Sequence, residues 1–254
     1  MRWFLILFLF CGLRAGEAAW QAESTPAQAT TSPTVSHLAL TLRDDAPDAT
    51  PLQAHLVKFD RARCRLEVVD LAPGQSVADG AAAAHALAGV NGGYFLADRT
   101  PLGLMISRGV TVHPWENSKI LTGVLAVPQR GPARVLRSAE FRPAGIRDAL
   151  QTGPFLVDHG KPVAGLNAAK AAERTVLLAD RKSVAALLTT GPVTLDELAH
   201  ILATPGLLPG LEIDRALNLD GGSSTALWVA GKEAPFSRPE WKRVRNAVVV
   251  VPQP

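Results

Sequence analysis

Three turns in this chain set hydroxyl, amide or carboxylate side chains beside glycines, the composition a protein uses to grip a sugar or an anion. Asn218-Leu219-Asp220-Gly221-Gly222-Ser223-Ser224-Thr225 leads from an apolar stretch into one carboxylate, two glycines and three hydroxyl-bearing residues. Adjacent glycines let the backbone adopt positive φ and approach a ligand closely, and their amides can face an anion or a hydroxyl. The same Asp-Gly pair is also a preferred hairpin turn with no chemistry attached. What favours chemistry is the company. Asn91-Gly92-Gly93-Tyr94-Phe95 repeats the design, with an aromatic able to stack on a sugar face, and Gln151-Thr152-Gly153-Pro154 presents polar side chains ahead of another glycine. Three such turns in so apolar a chain are predicted to share one cleft.

The elements that must carry these turns read mainly as strands. Leu38, Leu40 and Leu42 alternate with smaller or polar residues; Leu52 to Phe59 and Arg65 to Leu71 follow, separated by turn residues Asp60 to Arg63 and closed by Pro73-Gly74. Further strands are predicted at Leu102 to Ile106, Ile120 to Val127, Phe155 to Val157, Val176 to Leu178, Val184 to Leu188, Ala216 to Leu219, Thr225 to Val229 and the buried run Ala247 to Val251. Helices are fewer. Asp79 is placed as the cap of an alanine-rich helix through Ala88, stopped by Gly89, and Thr194-Leu195-Asp196-Glu197 matches a capping box that opens an apolar helix through Leu202. Strands without regular alternation with helices imply an α+β class: largely antiparallel twisted sheets with a few helices packed outside, in one globular domain.

The N-terminus predicts export. Met1-Arg2 precedes an apolar run from Trp3 to Leu13, too short to span a bilayer, and Gly16-Glu17-Ala18 suits a signal peptidase, so residues 1–18 are read as a signal peptide. Residues 19–36, rich in Ala, Thr, Ser, Pro and Gln, read as a flexible linker, and 37–254 as the folded domain. Without residues 1–18 the chain has 24 basic and 22 acidic residues, and Cys64 is its one cysteine, so no internal disulfide forms. That charge balance argues against a nucleic-acid partner, since Arg61, Arg63 and Arg65 read as the wet face of a strand. No stable membrane insertion is expected after cleavage. The histidines lack zinc-site pairing and no cofactor is predicted, although a hard cation such as calcium on Asp220 and backbone oxygens stays open.

The ordered set of motifs resembles the phosphodiester glycosidase family. It comprises Asn91-Gly92-Gly93-Tyr94-Phe95 with Pro101-Leu102-Gly103-Leu104, then Ala149-Leu150-Gln151-Thr152-Gly153-Pro154 with Asp158-His159-Gly160-Lys161. Glu173-Arg174-Thr175, the segment 216–225 and Arg243-Val244-Arg245-Asn246-Ala247 complete it. One departure is the segment Val176-Leu177-Leu178-Ala179, where family members tend to carry a glycine near Leu178.

The resemblance implies a hydrolase that cleaves a sugar's anomeric carbon from phosphate, acting on a small sugar phosphate or a polysaccharide. Such a leaving group departs as a stable anion, so one carboxylate can suffice where ordinary glycosidases need two. On this reading Asp220 attacks the anomeric carbon or activates water, and Arg174 neutralises the phosphate. Asn91, Thr152 and Ser223 hold oxygens, Gly92, Gly93, Gly221 and Gly222 lend amides, and Tyr94, Gln151, Gly153 and Thr175 line the site. Plainer roles compete: Arg174 as an ion-pair partner of Glu173 or Asp180, Asp220 as a brace for its own turn, His159 as a hairpin residue. Two other functions compete as well. Gly222-Ser223-Ser224-Thr225 lacks the second glycine of a serine-hydrolase elbow; a non-catalytic binder of exported polysaccharide would use the same turns.

Overall fold

The computed structural model describes residues 20–45 and 50–253; the expected signal segment 1–18 lies outside them. In chain order the elements are β1 (Gln21–Pro26), β2 (Val35–Arg43), β3 (Leu52–Phe59), β4 (Cys64–Asp70), α1 (Val77–Ala83), β5 (Ala88–Asn91), β6 (Met105–Ser107), β7 (Val110–His113), β8 (Gly123–Pro128) and β9 (Arg134–Arg137). There follow β10 (Ile146–Thr152), β11 (Phe155–Asp158), β12 (Lys161–Pro162), β13 (Ala172–Ala179), β14 (Val184–Val193), α2 (Leu195–Ala203), β15 (Arg215–Asn218), β16 (Leu227–Val229), β17 (Phe236–Arg238) and β18 (Asn246–Pro252). Short 3-10 turns occur at Ser138–Glu140 and Gly222–Ser224.

The strands form three sheets, in the orders β1-β2-β3-β14-β13-β15-β11-β12, β7-β6-β10-β8-β9 and β17-β16-β5-β18-β4. Every named pairing is antiparallel, from β1 with β2 through β13 with β15 to β18 with β5. One interior is common to all three. Val57, Leu177 and Leu217 of the large sheet meet Leu66, Val90 and Val248 of the β18 sheet and Met105, Leu125 and Leu150 of the β10 sheet. The two helices cover outer faces, so several strands are buried on both sides and read as unbroken apolar runs. Val248 and Val250 point into the shared core, while Ala247, Val249 and Val251 pack with Val77 and Ala81 of α1. Leu177 likewise faces inward, and Val176 and Leu178 pack with Leu198, Ile201 and Leu202 of α2.

The architecture is more β-rich than the expected α+β class, with only these two α-helices among the described residues. The alanine run explains the difference. Helix α1 stops at Ala83, His85 takes a φ of 50°, and Ala88 enters β5 against β16 and β18. Tertiary pairing outweighs helix propensity there. Its cap is Ser76 rather than Asp79: Asp79 N donates to Ser76 Oγ at 3.1 Å, and the Asp79 carboxylate accepts from Ser76 N at 2.8 Å. Thr194 caps α2, accepting from Glu197 N at 3.1 Å, which is the threonine half of the expected capping box.

The expected linker is also corrected. Residues 21–26 pair with β2 from Gln21↔Arg43 to Pro26↔Leu38, and Trp20 and Ala22 pack on the α2 side of the large sheet. Thr31 N then donates to Ala230 O at 3.1 Å. Ladder hydrogen bonds and one tryptophan offset the ordering entropy that the composition alone does not. Of the three arginines read as one strand face, only Arg65 lies on a strand; Arg61 and Arg63 sit in the preceding turn, and Arg61 pairs with Asp180 at 2.6 Å. Among the described residues no helix is long and apolar enough to cross a membrane.

Where the β17 edge meets the large sheet, His37 is 2% exposed, with Nε2 3.0 Å from Nδ1 of His55 and its ring edge-on to Phe236. Burial, then the neighbouring His55, push His37 down to about 4, and burial and Arg238 lower His55. The folded protein therefore holds His37 neutral while the unfolded chain protonates it below its ordinary value of 6.5. Stability is lost as pH falls from about 6.5 toward 4, by roughly 3 kcal/mol from this residue at most. Urea midpoints of wild type and His37→Phe across that window should diverge, the wild type falling more steeply with acid; parallel curves would remove His37 from this role.

Candidate active site

Six strands from all three sheets end at one place, and the three polar turns lie there together. Asn91 closes β5, Gln151 and Thr152 close β10, Arg174 and Thr175 lie in the first half of β13, Asn218 closes β15, Asn246 opens β18, and Pro154 leads into β11. Sheets that converge bring unpaired strand ends into an apolar interior, and those polar groups need partners. Asparagine and threonine side chains supply them.

Asn91, fully buried, is the central tie. Its Nδ2 donates to the Asp220 carbonyl at 2.7 Å, and its Oδ1 accepts from the Thr175 hydroxyl at 2.6 Å and from Ala226 N at 3.1 Å. Thr152 donates to the Asn218 carbonyl at 3.1 Å, and Asn218 Nδ2 reaches both the Tyr94 hydroxyl and the Gly153 carbonyl at 3.0 Å. Tyr94 in turn donates to the Gly153 carbonyl at 2.6 Å. Asp220 N donates to Gly92 O at 3.0 Å, and Asn246 accepts Gly92 N on its carbonyl at 2.9 Å and Gly93 N on its Oδ1 at 2.7 Å. Gln151 holds a neighbouring loop, accepting from Leu104 N and Glu116 N and donating to Glu116 O.

This geometry reassigns several expected ligand groups. Asn91, Thr152, Thr175 and Gln151 spend their side chains on the frame, and the amides of Gly92 and Gly93 are taken by Asn246. Gly92 is glycine because a Cβ there would run into Asn246 Oδ1, and Gly222 is glycine because it holds a φ of 60°. The Gly221 amide donates to Asp220 Oδ1 at 2.8 Å, so the carboxylate does brace its own turn.

That brace uses little of Asp220. Ser224 is buried and acts on the carboxylate, whereas Ser223 is exposed and offers its carbonyl to Trp241 N and Lys242 N at 2.9 and 3.0 Å. Burial raises the carboxyl of Asp220 above the ordinary carboxylate value, partly opposed by Ser224, Gly221 and the charge of Lys242. Burial, with the negative charge of Asp220 next, pushes Tyr94 up to about 12. Arg174 lies close enough for its charge to be felt at Tyr94 and is itself lowered by burial. Its guanidinium pairs with neither Glu173 nor Asp180, which bind Arg238 and Arg61; it donates to Val193 O at 3.0 Å and Lys170 O at 2.8 Å. Two of its donors are fixed by backbone, leaving the rest of the fork for a ligand.

Sequence reading missed Asn218, Asn246 and Lys242, and weighed Ser224 only within a serine-hydrolase elbow. Asn218 and Asn246 stand within motifs already singled out, and their strand-end positions were the available signal. His159 occupies the β11–β12 turn with a φ of 51°, in line with a hairpin role. A surface cavity of about 740 Å³ lined by His159, Asp180, Lys182 and Asp214 contains none of the three polar turns, so cavity size does not locate this site.

One aspartate on a hydroxyl-rich turn, an arginine and a tyrosine thus come together at a three-sheet seam. The chain belongs to the phosphodiester glycosidase family, whose family model matches residues 84–251. Among solved structures it is similar to the zebrafish N-acetylglucosamine-1-phosphodiester alpha-N-acetylglucosaminidase catalytic domain, auto-inhibited by its pro-peptide. That match has a TM-score of 0.67 at 16% identity, over 92% of this chain and 89% of that one. A hypothetical protein from Synechocystis is similar at a TM-score of 0.53 and 18% identity, over 93% of this chain and 68% of that one. No curated protein matches. Identities this low show a common fold. The departure at Leu178 falls on the outer face of β13 beneath α2, on the opposite side from the shared core.

Two substitutions separate frame from chemistry. Asn91→Ala strands the Thr175 hydroxyl, Ala226 N and the Asp220 carbonyl, and should cost about 3 kcal/mol in urea unfolding. Asp220→Asn should leave stability at pH 7 equal or higher. A raised folded-state value means that the ionised carboxylate costs stability above pH 3.8, and that cost vanishes at lower pH. A large loss in Asp220→Asn would show the carboxylate to be a structural brace.

Proposed function

We propose that the protein is an exported hydrolase that cleaves the bond between a sugar's anomeric carbon and the phosphate of a glycosyl diester. Water and the diester give a free sugar and a phosphate monoester. The observation that carries this reading is the partly exposed carboxylate of Asp220, its turn tied to Asn91 and beside Arg174, within a family of phosphodiester glycosidases. Export rests on the apolar run that opens the sequence.

Asp220 acts at the anomeric carbon. The glycosyl–oxygen bond breaks with its electron pair on phosphate, which leaves as an anion without prior protonation, so the single carboxylate matches the chemistry. Either Asp220 forms a glycosyl ester that water then hydrolyses, or it takes a proton from the attacking water. Arg174 meets the phosphate through the donors that Val193 and Lys170 leave free. The Tyr94 hydroxyl, held protonated at neutral pH, keeps its ring fixed at the floor of the site.

A panel of synthetic glycosyl phosphodiesters and nucleotide sugars tests this, with release of reducing sugar as the readout. Asp220→Asn should lower turnover by about a thousand-fold while Ser223→Ala retains it; the reverse pattern would transfer catalysis to the serine. Tight calorimetric binding of sugar phosphates with no turnover would make the protein a binder. Because the ionised form is needed and burial raises Asp220, kcat/KM should fall on the acid side with a midpoint above pH 3.8. Proton NMR of the first-formed anomer distinguishes the two roles: retention indicates a nucleophile, inversion a base.

A further inference from the structure

Trp241 is 88% exposed, far more than the other tryptophans among the described residues. Trp115 stacks on Phe141 with ring centres 5.8 Å apart and donates its Nε1 to Asn117, whereas Trp20 and Trp228 are partly buried. The Trp241 side chain has no hydrogen bond or ring contact among the described residues.

It is nevertheless held on an ordered turn. Trp241 N and Lys242 N both donate to Ser223 O. On one side the Glu240 side chain is 1% exposed and paired with Arg243 at 2.9 Å; on the other, Val244 is buried. The turn is therefore bonded to the same 220–224 segment that carries Asp220. An indole presented to water on a fixed backbone loses little entropy on meeting a ligand, and its face suits the apolar side of a ring. Lys242, next to it, has no ion pair among the described residues, and its charge is felt at Asp220.

We propose that Trp241 and Lys242 form a second subsite beside Asp220, which receives the group beyond the phosphate: a ring with a flat apolar face, supplied by a sugar or a nucleoside. The proposal rests on Asp220 acting at the anomeric carbon and assigns Trp241 and Lys242 as the residues that favour a ring in the alcohol half. In this subsite Lys242 meets the phosphate, and Trp241 stacks on the ring.

The test compares wild type, Trp241→Ala and Trp241→Phe on three diesters of one sugar, with methyl, hexose and nucleoside alcohols. Wild type should prefer a ring-bearing ester over the methyl ester in kcat/KM. That preference should fall about tenfold in Trp241→Ala and largely return in Trp241→Phe. Whichever ester shows the larger fall identifies the ring. An unchanged preference in Trp241→Ala overturns the subsite while turnover leaves the hydrolase reading standing. If no diester is cleaved by wild type, the hydrolase reading fails, and titration of the nitrogen-15-labelled indoles decides the subsite by itself. A shift of the Trp241 indole signal with the ring-bearing esters supports it, and a stationary signal overturns it.

Discussion

Buried strand ends that must find hydrogen bonds govern this structure. Three sheets share one apolar core, and where their edges converge the backbone runs out of ladder partners in a place water cannot satisfy. Thr175 to Asn91 and Thr152 to Asn218 bond from sheet to sheet, while Asn218 holds the Gly153 turn and Asn246 ties the Gly93 amide to its own sheet. The same bonds fix the spacing of the three turns. A seam built for polar satisfaction thereby becomes a site, because the groups that line its open side are held by hydrogen-bonded neighbours.

Within that seam the roles divide by burial. The buried side chains of Asn91, Thr152 and Thr175 have spent hydrogen bonds on protein. Asp220 and Arg174 are only partly covered and keep capacity to spare. Burial still acts on both, raising the carboxyl and lowering the guanidinium, so each resists its charge. An anionic substrate meeting Arg174 would restore the balance for the arginine.

Much of the fold was legible because the chain keeps local rules: Leu52–Phe59 is β3 as read, and Thr194 caps α2. The failures are informative. Strand β10 was missed because Arg147 and Asp148 interrupt its alternation. In the fold Asp148 is fully buried, accepting from Arg108 N at 2.8 Å and paired with Arg147, an arrangement no periodicity displays. The alanine run promised a longer helix than it gives, since β5 pairing claims its end. At the site, residue type showed where polar groups would gather. It did not show whether they would face a ligand or one another, which depends on contacts between residues far apart in the chain, such as Asn91 with Thr175 and Gly93 with Asn246.

The first strand also has a meaning for how copies of the chain behave together. β1 is the outer margin of the eight-stranded sheet, and its six residues are Gln, Ala, Glu, Ser, Thr and Pro. A margin of that kind offers a passing strand little apolar surface, sets a carboxylate in its way, and ends at a proline that cannot donate to a further ladder. A segment poor in core-forming side chains thus guards the largest sheet against edge-to-edge aggregation.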